Sequence, residues 1–181
     1  MKNAFFSPRM GFVTVAVIAA ALTRFLPHPP NFTAIGAMAL FAGACMPNRW
    51  MSLLIPAAAM FITDLFLGFH NTLWAVYASF AIITMIGWMV REKQNVWTLA
   101  GASLAGAILF FFITNAAMWV VGPFVPAAER FYPLGIEGLP MSITAGIPFF
   151  HYTVISQFAY GILFFGAFHA ARNWKPSLVK A

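Results

Sequence analysis

The segment from residue 97 to residue 121 reads WTLAGASLAGAILFFFITNAAMWVV, and none of its 25 residues is charged. About 20 apolar residues in helical conformation cross the hydrocarbon core of a bilayer, so this segment is long enough for one span. Lipid offers no hydrogen bonds to the backbone, which restricts such a segment to an α-helix or a closed barrel. The unbroken apolar run therefore predicts a transmembrane α-helix.

The rest of the sequence contains further long apolar runs. Hydrophobic residues make up 62% of the chain and charged residues 8%, against roughly 25% charged residues in a soluble domain. The other apolar runs lie at about residues 10–26, 32–46, 50–67, 72–90 and 145–171. We therefore predict an all-α membrane protein, in which residues 1–181 form a single transmembrane domain built as a bundle of about six helices. The one long connection is an outer loop at 122–140.

Three runs need interpretation. The run 32–46 is short, about 22 Å at about 1.5 Å per residue. In the last run Pro148 is expected to divide a shallow lead-in from the helix proper, because proline interrupts helix hydrogen bonding. The first run follows Lys2 and Arg9 and resembles a cleavable signal peptide. It continues to Leu26 and five further runs follow, so we expect it to be retained as a helix.

The basic residues predict the orientation. Six spans place both ends, at Lys2 and Ala181, on one side of the membrane. If that side is the cytoplasm, only Arg24 and Arg130 lie outside, which agrees with the positive-inside rule. The cytoplasmic residues are then Lys2, Arg9, Arg49, Arg91, Lys93, Arg172, Lys175 and Lys180. The net charge of +6 is spread singly or in pairs between apolar runs, so it does not indicate a nucleic-acid-binding face.

Asp64 is the only acidic residue inside a predicted span. An ionisable group at that depth is costly unless it is paired or hydrated, so it is a candidate for function. One interpretation is a carboxylate that binds a ligand or ion. The other is a structural ion pair with Arg24, which lies at a similar depth on helix 1. Both interpretations remain open from the sequence.

The remaining polar candidates lie at the same predicted outer depth. Together with Asp64, the candidate ligand-binding residues are Arg24, His28, Asn31, His70, Asn71, Asn115, Trp119 and His151. Structural explanations exist for several of them: histidines in turns, such as His28 and His70, are usually solvated, and a buried amide such as Asn115 often joins two membrane helices. Asn31 is also suited to cap helix 2. The histidines show no H-x-x-x-H spacing, so we predict no metal centre, and no cofactor is predicted.

Three further features concern the periphery of the bundle. The loop 122–140 is rich in proline and aromatic residues, and we expect it to fold over the bundle mouth as a lid, with packing against lipid headgroups as the alternative. Ala16 and Ala20 lie one helical turn apart and let a neighbouring helix approach closely, either inside the bundle or as a partner surface. Cys45 is the only cysteine and is expected to be a buried thiol at the cytoplasmic end of helix 2.

Four stretches carry a family resemblance: RFLPHPPNF at 24–32, AMALFAGA at 37–44, TDLFLGFHNT at 63–72 and FITN at 112–115. They resemble a family of small bacterial membrane proteins described as transport proteins. That family is similar in size and span count to the substrate-binding S components of energy-coupling-factor transporters, which are six-helix proteins that capture a vitamin near the outer face.

The resemblance implies a component for micronutrient uptake in the bacterial inner membrane. It also implies that Ala16 and Ala20 dock against a transmembrane coupling protein driven by ATPase subunits. No G-x-x-x-x-G-K-[ST] motif occurs in the chain, so ATP would be hydrolysed by those partners. The alternatives are an intramembrane enzyme that uses Asp64 with His70 or His151, and a structural accessory subunit. With one buried acid and no catalytic motif, we do not expect an enzyme.

Overall fold

The computed structural model describes residues 7–179, and every regular element in this part of the chain is a helix. The α-helices are α1 (Pro8–Leu22), α2 (Ile35–Cys45), α3 (Arg49–Leu67), α4 (Leu73–Met89), α5 (Val96–Val120) and α6 (Gly138–Trp174). Four of them, with a short 3₁₀ extension of α1 and of α5, are long and apolar enough to cross a membrane. The predicted all-α membrane protein is confirmed at this level. Lys2, Lys180 and Ala181, which the predicted orientation places in the cytoplasm, lie outside the described residues.

Three helices begin at residues that favour a helix N-terminus. The Ser7 hydroxyl accepts a hydrogen bond from the Met10 amide at 3.2 Å, and Pro8 occupies the first position of α1, where its missing N–H costs nothing. Asn48 and Asn95 cap α3 and α5 through their side-chain oxygens in the same way. These caps determine the residues at which α1, α3 and α5 begin.

Helix α2 forms the centre of the bundle and contacts each of the other five α-helices. It has 11 residues, about 16 Å, and so is about half as long as the roughly 30 Å hydrocarbon core. The predicted span at 32–46 is thus a short buried helix that starts three residues later than expected. Asn31 adopts φ 63° in the preceding turn, and Ala34 occupies the N-cap position. The predicted cap by Asn31 is therefore wrong.

Helices α2 and α4 cross in backbone contact. A Cβ atom on Gly87 would lie 2.5 Å from the carbonyl oxygen of Leu40, and a Cβ atom on Gly43 would collide with the carbonyl oxygen of Thr84. Only glycine permits this approach, as is common where membrane helices pack closely. The crossing fixes α2 inside the ring of longer helices.

Helix α6 is continuous over 37 residues, about 56 Å, which exceeds the thickness of the hydrocarbon core. Pro148 lies inside it, so the predicted division at this residue is wrong. A proline removes one backbone donor, and neighbouring helices can stabilise a membrane helix around that defect. Because α6 begins at Gly138, the loop predicted at 122–140 ends at residue 137.

The bundle has two ends, named here by the turns they contain. The predicted outer end comprises the segments 23–34, 68–72 and 121–137. The predicted inner end comprises the turns 46–48 and 90–95, the start of α1 and the end of α6. A shared cavity connects 68–72 with 121–137 at the outer end, and hydrogen bonds and a second cavity connect the segments of the inner end, as described below.

Candidate functional site

Arg24 and Asp64 form a buried ion pair near the predicted outer end. Arg24 Nη2 lies 2.5 Å from Asp64 Oδ1, and the Tyr77 hydroxyl donates to Asp64 Oδ2 at 2.6 Å. The other guanidinium nitrogen, Nη1, donates to the Thr63 hydroxyl and, at 3.3 Å, to the carbonyl oxygen of Met60. The cluster joins the end of α1 to α3 and α4.

The geometry of the cluster matches the structural interpretation of Asp64. Oδ2 accepts the Tyr77 hydrogen bond, Oδ1 faces the Arg24 guanidinium and accepts no hydrogen bond among the described residues, and the side chain is 1% exposed. Buried charges are tolerated in membranes when they are paired in this way. Tyr77 was not among the sequence candidates, because a tyrosine in an apolar helix gives no sign of which neighbour its hydroxyl meets.

A cavity of about 520 Å³ opens at the predicted outer end. The α3–α4 turn contributes His70 and Asn71 to one side, and the loop after α5 contributes Glu129 and Arg130 to the other. Met118 of α5 supplies apolar surface between them. The volume is typical of small-molecule sites, which combine a mainly apolar lining with a few polar groups.

Local hydrogen bonds hold the polar lining in place. The His70 Nδ1 atom lies 3.0 Å from the Thr72 hydroxyl, which orients the imidazole within its own turn. Arg130 donates through Nε to the carbonyl oxygens of Gly122 at 2.9 Å and Val125 at 3.2 Å. These two bonds fold the loop back on itself, so that it covers the cavity from one side.

Asn115 and Trp119 lie at the interface between α5 and α6. Asn115 Nδ2 donates to the carbonyl oxygen of Phe111 at 2.8 Å, and its side chain packs on Gly146, where a Cβ atom would lie 2.6 Å from Asn115 Cγ. Trp119 Nε1 donates to the carbonyl oxygen of Gly135 at 3.0 Å. Both residues therefore contact α6 or the loop that precedes it.

His28, Asn31 and His151 are exposed, and none of them lines the cavity that His70 and Asn71 share. His28 Nδ1 is 3.0 Å from the carbonyl oxygen of Pro29, and the His151 ring lies 3.9 Å from the ring of Tyr152. The nine candidates thus do not form one site. The structure brings together Arg24 with Asp64, and His70 with Asn71.

Comparison with known proteins gives one match. A family model described as "Family of unknown function (DUF6580)" matches residues 5–178. The chain belongs to this family. No curated protein and no solved structure matches the chain.

Gln157 of the DUF6580 chain is a buried polar residue outside the candidate set. It is 3% exposed, and its Nε2 atom has no hydrogen-bond partner among the described residues. Two glycines make room for its side chain: a Cβ atom on Gly36 would lie 3.3 Å from Gln157 Cδ, and one on Gly106 would lie 3.4 Å from Nε2. A cavity of about 10 Å³ adjoins it, which is the size of one water molecule.

Ala16 and Ala20 of α1 pack toward the interior of this DUF6580 bundle. Ala20 is 1% exposed, and Ala16 is half-buried against the hydrophobic core. Ala20 is therefore not available for the predicted docking to a partner, because the bundle itself covers it. The surface that α1 presents outward carries Val15, Ile18 and Leu22 instead.

At the predicted inner end, arginines bind the C-terminus of α2. Arg9 Nε donates to the carbonyl oxygen of Cys45 at 2.5 Å, and Arg91 Nη2 donates to those of Gly43 at 2.9 Å and Met46 at 2.7 Å. These donors satisfy carbonyl groups that a helix terminus leaves unpaired and match the negative end of its dipole. The Cys45 thiol is fully buried, as predicted.

Proposed function

We propose that this protein is a membrane transport component that binds a small, micronutrient-like molecule at its outer face. The observation that carries the proposal is the cavity of about 520 Å³ between the α3–α4 turn and the loop 121–137. Its position at the bundle mouth supports capture from outside. Its size supports a small-molecule ligand rather than a protein or an ion.

The lining indicates the chemistry of the ligand. Asn71 offers an amide, and the imidazole of His70 and the guanidinium of Arg130 offer further polar contacts. Met118 and Phe131 provide apolar surface. Glu129 lies in the same lining, so the charges of Arg130 and Glu129 balance. This combination suits a molecule with an apolar body and a polar edge that both donates and accepts hydrogen bonds. Capture would occur under the loop, followed by a rearrangement that opens the site inward.

The proposed setting is the bacterial inner membrane with both termini in the cytoplasm. The distribution of basic residues supports this orientation. By resemblance to S components, uptake would be driven by a transmembrane coupling protein with ATPase subunits. Since Ala20 is buried, we place the docking surface on the exposed face of α1, at Val15, Ile18 and Leu22.

In this proposal the Arg24–Asp64 pair is scaffolding next to the site. It ties α1, α3 and α4 together just before the turn that carries His70 and Asn71. No observation favours the alternative of an intramembrane enzyme, because the groups that contact the Asp64 carboxylate are Arg24 and Tyr77 rather than a histidine.

A thermal-shift screen tests the proposed function. Purified protein is heated with a panel of vitamins and vitamin precursors, and a true ligand at 100 times its Kd should stabilise the fold by about 2.7 kcal/mol. Met118→Trp, which fills the cavity, should abolish the shift. Met141→Trp is the matched control, since Met141 is exposed on α6 and lies outside the cavity lining. An equal shift in both variants would place the ligand outside this cavity, and no shift with any compound would favour the accessory-subunit alternative.

A further inference from the structure

A second large cavity lies at the opposite end of the molecule, with a volume of about 780 Å³. Its charged lining comes from three elements: Arg9 of α1, Arg91 and Glu92 of the α4–α5 turn, and Arg172 of α6. Three arginines against one glutamate leave a formal charge of +2 around this opening. His169 adds an imidazole to the same wall.

An apolar groove of about 650 Å³ runs between α5 and α6 from this cationic cavity. Small residues, including Ala100, Ser103 and Gly161, leave the groove open between the two helices. Gln94 and His169 line both the groove and the cationic cavity, so the two adjoin each other. Val96 and Ile162 of its lining are exposed on the outside of the bundle, on the surface that lipid would cover.

We propose that the cationic cavity and the groove together bind one anionic phospholipid of the inner leaflet. The phosphate would lie among Arg9, Arg91 and Arg172, and an acyl chain would lie along the groove between α5 and α6. Basic pockets between membrane helices on the cytoplasmic side suit such headgroups. The inference does not depend on the outer cavity or on transport; it uses only the proposed orientation, which places this end of the bundle at the inner leaflet.

The contacts and the crowding of the arginines around this cavity support an anionic ligand. Arg9 and Arg91 already bind the carbonyl groups at the end of α2, and the Arg9 guanidinium also lies 5.4 Å from the centre of the Phe168 ring. Burial, together with the nearby charges of Arg49 and Arg9, lowers the pKa of Arg91. A phosphate would relieve this crowding of like charges. Arg172 is exposed and lines the same opening.

The groove explains why a lipid fits better than a free anion. A soluble phosphate would need only the arginines, whereas the adjoining groove offers an apolar channel of comparable volume. A single ligand that uses both must combine an anionic head with a long apolar tail. A phospholipid of the surrounding leaflet has this structure and reaches the groove from the side.

Native mass spectrometry of the detergent-purified full chain tests the proposal. The protein is mixed with phosphatidylglycerol or with phosphatidylcholine of identical acyl chains, and a third arm adds inorganic phosphate as competitor. We expect one retained phosphatidylglycerol, preferred over phosphatidylcholine. Arg172→Gln should weaken this binding about fivefold, the effect of one basic residue at an anionic surface. Ala100→Phe should weaken it by blocking the groove.

Matched controls make the test decisive. Lys93→Gln removes an exposed charge from the same end of the bundle, and Ala105→Phe adds the same bulk to an exposed position of α5; neither residue lines the cavities. Both should bind the lipid like the wild type. Equal retention of the two lipids, equal effects of Arg172→Gln and Lys93→Gln, or complete displacement by inorganic phosphate would overturn the proposal. So would a dimer that is lost in Ala100→Phe.

Discussion

Removing either partner of the Arg24–Asp64 pair should destabilise the protein severely, because the remaining charge stays buried without its counterion. Breaking a buried pair costs about 3–5 kcal/mol. Asp64→Leu should lose further stability, because the Tyr77 hydroxyl then has no hydrogen-bond acceptor. A buried polar group left without a partner costs about 1–3 kcal/mol. The single variants Arg24→Met and Asp64→Leu should therefore each lose about 3 kcal/mol or more.

The double variant Arg24→Met/Asp64→Leu should recover most of this loss, because neither charge remains. It should keep a remaining loss of about 1–3 kcal/mol, because the Tyr77 hydroxyl has no acceptor. Adding Tyr77→Phe removes this hydroxyl and should restore that part of the stability. The assay is the free energy of unfolding of the wild type, both single variants, the double and the triple, from denaturant titration in one detergent.

Strict additivity would refute this account of the pair. Independent sites add to within about 0.3–0.5 kcal/mol, so a double variant that loses the sum of both single effects would show that Arg24 and Asp64 do not interact. The variant Asp64→Asn tests separately whether Asp64 has a purely structural role. If this variant melts like the wild type yet loses its ligand, Asp64 binds the ligand and the site assignment must include it.

Three further predictions concern the packing and orientation of the bundle. Gly87→Ala should cost about 1–3 kcal/mol by forcing α2 and α4 apart, whereas Gly101→Ala, which meets no atom within 4 Å, should not destabilise; equal melting temperatures would contradict the close crossing. Arg91→Gln should lower stability by about 1–3 kcal/mol, because carbonyl groups at the end of α2 lose their donor; an unchanged free energy of unfolding would show that these bonds are unimportant. Alkaline phosphatase fused after Ala181 should be inactive, since the C-terminus is predicted to be cytoplasmic; strong activity would invert the orientation.

Local apolar runs predict helices well where the helix is long and flanked by polar residues. The run 97–121 corresponds to α5 within one residue at each end, because length and the absence of charge are properties of the segment itself. Helix α2 is different. It is buried on all sides, so its sequence has no apolar stripe that would mark a boundary, and Ile35 rather than Phe32 begins it.

The candidate site shows the same limit. Depth along a helix can be estimated from sequence, which is why Arg24 and Asp64 were recognised as a possible pair. The rotation of a helix about its axis cannot be estimated in so apolar a chain. The sequence therefore does not show that Tyr77 contacts Asp64, or that Met118 lines the same cavity as His70. Asn115 shares the predicted depth of Asp64, but it packs on Gly146 of α6 instead.

The central claim, a ligand site in the outer cavity beside a purely structural ion pair, is tested most directly by native mass spectrometry of protein purified gently from cells grown in rich medium. The account predicts one small molecule retained by the wild type and by the double variant Arg24→Met/Asp64→Leu, and lost from Met118→Trp. If Met118→Trp retains the molecule while the double variant loses it, the ligand binds at the ion pair and the claim is wrong.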